Sequence, residues 1–196
     1  MSKNKKSDRT HAEILDTAWH LIAAEGAEVS MGKIAKAVGL TRQSIYVHFG
    51  SRSGLLTELV RRADEREDIW GNFQKALESP SAQARLEACL VVWFNFVPKI
   101  YPVASDLIRL KAKDEEASTA WYDRMAPLIA FLKTRIEDLK QEEALASNWS
   151  TDKATDYLWA QCSVQSWELL VHDRGWTPDT ASKVIIKTSM QSLLAS

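Results

Sequence analysis

Residues 31–49 read MGKIAKAVGLTRQSIYVHF, and this stretch decides the fold. Ile34, Ala35 and Val38 recur at helical spacing after Ser30, a residue type suited to capping a helix start. Gly39–Leu40 breaks the pattern, and Thr41 is placed to cap a second short helix from Arg42 to Phe49. Two short helices joined by a three-residue turn containing glycine make a helix-turn-helix, whose second helix enters the DNA major groove. In that arrangement Ile34, Ala35 and Val38 pack against Ile45 and Phe49, Leu40 plugs the turn, and Leu15, Ala18 and Ile22 supply the floor. Arg42, Gln43, Ser44 and Val47 are left on the outer face. Arg and Gln suit bidentate readout of guanine and adenine edges. Periodicity alone also fits two surface helices of a bundle.

Helical periodicity continues on both sides. Ile14, Leu15, Ala18, Leu21 and Ile22 predict a helix over 12–25, stopped by Gly26. Ser51 is placed to cap one longer helix over 52–73, and Pro80 suits the first position of a fifth helix burying Leu86, Cys89, Leu90, Trp93, Phe96 and Val97. Pro98 and Pro102 bracket a connection into a sixth helix with Val103, Leu107, Ile108 and Leu110. A seventh carries Trp121, Met125, Leu128, Leu132, Ile136 and Leu139, with Pro127 expected to kink it. An eighth spans 151–172, and Thr177–Pro178 opens the last, with Val184, Ile185, Thr188 and Leu193 on one stripe. No segment shows a convincing period-two strand. The expected fold class is all-α.

Composition agrees. The 196 residues include only 7 Gly and 5 Pro, too few for the many tight turns of a sandwich or barrel. Cys89 and Cys162 sit in apolar periodic segments without C-x-x-C spacing, so they read as buried thiols of a reducing compartment. The four histidines (His11, His20, His48, His172) are unclustered, and the Glu168–His172 spacing has no second copy, so no metal, cofactor or hydrolytic triad is expected. The chain reads as a non-enzyme. Its longest apolar run, Ala88–Phe94, has seven residues against the roughly 20 of a membrane span, and the basic start Met1–Thr10 leads to no apolar core of a secretion signal. A cytoplasmic protein with no membrane partner is expected. The net charge of −1 hides an asymmetry: residues 1–62 carry ten Lys/Arg against six Asp/Glu, which leaves −5 on the remainder. A basic N-terminal third is compatible with a nucleic-acid module.

The stretch ILDTAWHLIAAEGAEVSMGKIAKAVGLTRQSIYVHFGSRSGLL closely resembles the N-terminal domain of the TetR/AcrR family of transcriptional regulators. The likeness rests on Ile14-Leu15 with Ala18, Gly26, Ile34-Ala35, Val38-Gly39-Leu40, Ile45-Tyr46, His48-Phe49, Ser51-Arg52 and Leu55-Leu56. It covers about residues 10–59; beyond them the chain is similar only in its run of helices and in WELLVHDRGW before the last one. Arg52 stands where the family usually has Lys, and Gly32 where a polar contact residue is frequent. The resemblance implies a ligand-responsive regulator, a repressor released from a palindromic operator by a largely apolar or aromatic effector. A DNA-binding protein without effector and a helical-bundle enzyme are the alternatives.

Residue by residue, the resemblance implies base contacts for Arg42 and Gln43. It implies phosphate contacts for Ser44, Tyr46, His48 and Arg52, further contacts from Ser30 and Lys33, and places Thr41 in the same DNA-binding set. Tyr46 fits equally as packing beneath the motif, and His48 as a C-terminal cap. The basic segment Lys3–Arg9 fits a groove-reaching arm or a solvated tail. The implied domains are 1–51 for DNA and 52–196 for effector binding and dimerisation, joined through the shared helix 52–73. Trp93, Phe96, Trp121, Met125, Trp159 and Cys162 are the expected ligand-binding residues, with Asn95, Gln161 and Gln165 as polar handles; each aromatic also fits ordinary core. The last two helices are expected to form a homodimer interface through Trp167, Leu170, Val171, Ala181, Val184, Ile185 and Thr188.

Overall fold

The computed structural model describes residues 2–26 and 29–195, with side chains from residue 7 onward. Ten α-helices and one π-helical turn account for the regular structure among these residues: α1 Ser2–Glu25, α2 Met31–Ala37, α3 Arg42–Phe49, α4 Arg52–Arg66, α5 Ile69–Ala76, α6 Ala82–Lys111, α7 Glu115–Gln141, α8 Thr151–Gln161, α9 Val164–Glu168, the π turn Leu169–Asp173, and α10 Pro178–Leu193. The fold is all-α. Two compact units emerge: residues 1–66 with 100–122, and residues 67–99 with 123–196.

In the first unit Ile14, Ala18 and Ile22 of α1, Ile34 of α2, Ile45 of α3 and Leu55, Leu56 and Leu59 of α4 are completely buried. These positions repeat every three or four residues, so each helix seals one face into the same core. Gly39 turns the chain between α2 and α3 at φ 71°, a left-handed conformation that side chains disfavour. In the second unit Leu86, Leu90 and Phe94 of α6, Ile136 and Leu139 of α7, Leu158 of α8 and Leu193 of α10 fill the centre. Trp149 Nε1 donates to the Ser192 carbonyl at 2.7 Å, tying the approach to α8 onto the end of α10.

Three expectations are corrected. The single helix 52–73 is two helices, because Asp68 adopts φ 45° and ψ 47° and starts a new one. Its carboxylate lies over Gly71, where an added Cβ would come within 2.3 Å of Oδ2 and oblige that side chain to move. With α4 ending at Arg66, it belongs wholly to the first unit.

Pro98 and Pro102 do not interrupt α6, which runs unbroken for 30 residues. A proline inside a helix costs ~3 kcal/mol. Phe96, Val97, Ile100, Val103, Ala104 and Leu107 are all buried around these prolines, and that packing offsets the loss. The helix is long and apolar enough to cross a membrane, yet more than half of that window is buried within the protein, as in a core helix.

The eighth helix is also shorter than periodicity predicts. Ser163 turns to extended backbone (φ −66°, ψ 143°) and its Oγ accepts the Ser166 N–H at 3.1 Å, capping a fresh helix. A hydroxyl competing with the helical ladder ends α8 where apolar spacing alone would continue it.

Candidate nucleic-acid interface

The helix-turn-helix is α2 and α3. Ser30 caps α2 by accepting the Lys33 N–H at 3.2 Å, and Thr41 caps α3 by accepting the Ser44 N–H at 3.1 Å. Thr41 Oγ1 also lies 2.8 Å from Ser44 Oγ. These caps satisfy backbone donors that a helix start leaves open. An eight-residue helix is unstable alone, so α3 is held by its two buried side chains, Ile45 and Phe49, and by its caps.

The outer face follows from that anchoring. Arg42 and Gln43 are exposed, Ser44, Tyr46 and His48 are half-buried, and Val47 is 80% exposed. Arg42 does not extend freely: its Nη2 donates to Tyr46 Oη at 3.1 Å, with the guanidinium 5.4 Å from the ring centroid. A cation held by a phenol is preorganised in direction. His48 lies with its ring centroid 5.9 Å from His11 and 6.1 Å from Phe49, while His11 stacks on Phe49 at 4.6 Å. His11 in turn meets Glu58, with 3.0 Å between Nε2 and Oε2. Across residues 29–57 there is no Asp or Glu, against Lys33, Lys36, Arg42 and Arg52. That segment presents only positive or neutral groups, as a polyanion requires.

Arg52 has partners within the protein itself. Its guanidinium donates to the Val29 carbonyl and to Asp106 Oδ2, within the first unit. Asp106 is nearly buried, and a buried carboxylate needs a partnered cation, so Arg52 answers a structural demand before any phosphate. An acid amid the apolar positions Val103 and Leu107 is the sequence signal for this pair. Lys33 pairs with Glu25 through exposed side chains, a contact that solvent screens and DNA can replace. The side chains of Lys3, Lys5 and Lys6 in the expected arm lie outside the described residues. Arg9 is paired with Glu13 along α1.

The expected ligand residues divide between the units. Trp121 is buried in the first, where Lys111 Nζ sits 5.0 Å from its ring. In the second, Trp93 Nε1 donates to the Cys162 carbonyl at 2.8 Å, and its ring lies 6.1 Å from Phe96. Met125 and Trp159 are half-buried. A cleft of about 270 Å³ in this unit is lined by Glu67, Ile69, Asn72, Val92, Asn95, Phe96 and Lys99, which includes only Phe96 and Asn95 of the expected groups. Gln165 Oε1 is buried without a hydrogen-bond partner, while Gln161 is half-buried. Burial pushes the Cys89 thiol up to about 11 and the Cys162 thiol up to about 12. Neither is a nucleophile near neutral pH.

The expected dimer stripe needs correction as well. Ala181, Ile185 and Trp167 are buried within the protomer, so they are not available to a partner. Val184, Leu169 and Trp176 remain exposed at 38%, 58% and 38%.

Residues 14–59 match the family model of bacterial regulatory proteins, tetR family. The chain is 41% identical over 56 residues to the HTH-type transcriptional regulator AcrR of Shigella flexneri, covering 28% of this chain and 26% of that one. It is 31% identical over 97 residues to the HTH-type transcriptional regulator EthR of Mycolicibacterium smegmatis, covering 48% and 44%. The aligned regions thus span less than half the length of these curated relatives. A protein from Saccharomonospora viridis, crystallised in complex with choline, shares the fold with a TM-score of 0.75 at 18% identity, over 96% of this chain and 100% of that one.

Proposed function

We propose that this chain, whose residues 14–59 match the family model of bacterial regulatory proteins, tetR family, is a TetR/AcrR-family repressor that a small molecule releases from a palindromic operator. The observation that carries this reading is α3 itself. It sets Arg42, Gln43 and Val47 outward from a capped, core-anchored helix within an acid-free segment of the chain. In DNA recognition, Arg42 and Gln43 read base edges, while Ser44, Tyr46, His48 and Lys33 hold phosphates with the capped N-termini at Ser30 and Thr41. One motif contacts too few base pairs for genomic specificity, so the protein acts in the cytoplasm as a homodimer spanning half-sites about 34–36 Å apart. The partner surface uses Val184 of α10 with Leu169 of the π turn and Trp176 of the segment before α10, apolar side chains that the protomer leaves uncovered.

The effector binds among the aromatic residues of the second unit, around Trp93, Phe96, Met125, Trp159 and Cys162. Indole faces hold cations, and the Saccharomonospora viridis neighbour was crystallised with choline, so quaternary ammonium compounds join neutral aromatics as first candidates. Operator release needs a coupling of only ~1–3 kcal/mol, a 5- to 150-fold loss of affinity.

The test is selection of duplexes by the full-length protein from a random DNA pool, followed by affinity measurement at several salt concentrations. A palindromic consensus and a steep decline of affinity with salt are expected. Selection of no sequence overturns the reading. Tryptophan fluorescence titration with choline and with neutral aromatics, with and without the selected duplex, tests the effector; reciprocity requires equal loss in both directions.

A further inference from the structure

We infer that Val47 is a base-reading residue, its methyl groups seated against the 5-methyl group of a thymine in the major groove. This rests on the DNA-binding reading above and assigns specificity to a side chain that the polar contacts leave out. Val47 is 80% exposed, the most exposed of the large hydrophobic side chains that protrude from the protein. At ~100° per residue, it lies about 180° from the mean direction of Ile45 and Phe49, the two residues that anchor α3. It is therefore the outermost point of the helix. Gln43, also exposed, lies one turn earlier on the same ridge.

No packing within the protein explains an apolar residue in this place, and a polar one would leave α3 no less stable. The chain carries no acidic residue between 29 and 57, which suits a covering surface that is anionic overall and apolar locally. The DNA major groove offers that combination at thymine, the base whose groove edge carries a methyl group. Arg42 and Gln43 supply directional hydrogen bonds, and Val47 supplies an apolar contact that cytosine and the purines do not reward. Four residues of helix advance ~6 Å, close to two base steps of about 3.4 Å each. The thymine read by Val47 therefore lies within two base pairs of the adenine read by Gln43.

The test uses duplexes selected by the full-length protein, in which each thymine is replaced singly by deoxyuridine, removing the methyl group alone. One thymine per half-site is expected to lose about fourfold in affinity, equivalent to ~0.8 kcal/mol for one methyl-sized group. Val47→Ala should bind the parent duplex more weakly by a similar factor and be indifferent to deoxyuridine at that position. Val47→Ile, which keeps the methyl contact, should retain the sensitivity. A deoxyuridine scan that is flat, or that costs Val47→Ala as much as the wild type, overturns this inference while leaving DNA binding intact. Failure to select any duplex overturns both.

Discussion

Arg52 and Asp106, 54 residues apart in the chain, form an ion pair whose carboxylate side chain is 6% exposed and whose guanidinium is 20% exposed. It fixes the start of α4, directly after the recognition helix, against the later part of α6. Coulombic attraction here offsets the desolvation of Asp106, so removing either partner is far costlier than the pair's net worth.

Asp106→Ala should therefore lower unfolding free energy by about 3 kcal/mol, measured by urea denaturation. Arg52→Ala should weaken DNA binding through the displaced start of α4 while leaving the salt dependence of affinity unchanged. A salt slope reduced by about one unit would mark Arg52 as a phosphate contact and contradict the structural role.

Arg42→Ala should cost ~1–3 kcal/mol of operator affinity and relax specificity at one base pair. Tyr46→Phe keeps the ring beneath the guanidinium and removes the hydrogen-bond acceptor, so it should reproduce part of that relaxation, about 1 kcal/mol. Affinities over all single-base variants of the selected duplex decide this. Uniform weakening across every variant would strip Arg42 of base reading.

Glu142 accepts the Ala82 N–H at 2.7 Å and the Arg85 guanidinium, and the backbone N–H foremost, then Arg85, hold its carboxyl below the ordinary 4.5. A depressed native value means the charged form stabilises the fold above pH 4.5 and that contribution is lost as pH falls through the native value. Glu142→Gln should thus melt at a lower temperature than wild type at pH 7, with the gap closing below about pH 4.5. An unchanging gap down to pH 3 refutes the assignment.

Cys89 and Cys162, raised from 9.0 to about 11 and about 12 by burial, stay protonated in the native protein while an unfolded chain ionises. Stability from these thiols is complete below pH 9 and declines as pH climbs towards 11 and 12. At pH 8 both should resist a thiol reagent until denaturant is added, and then react quickly. Rapid labelling of either in native protein would show that its burial is transient.

Local chemistry written in the sequence determined the helix-turn-helix. Ser30 and Thr41 compete for backbone donors at two adjacent helix starts, Gly39 takes up a positive φ, and Ile34, Ile45 and Phe49 bury one face; all of these act within a few residues. The outward set Arg42, Gln43 and Val47 follows from the same periodicity. Tertiary structure decided what no short window contains. Whether Pro98 and Pro102 break α6 depends on the packing around them, not on the prolines alone. Whether Ala181 and Ile185 face a partner or their own protomer depends on which helices cover α10. Arg52 shows the limit most clearly: its partner Asp106 on α6 lies far along the chain and is brought close only by folding.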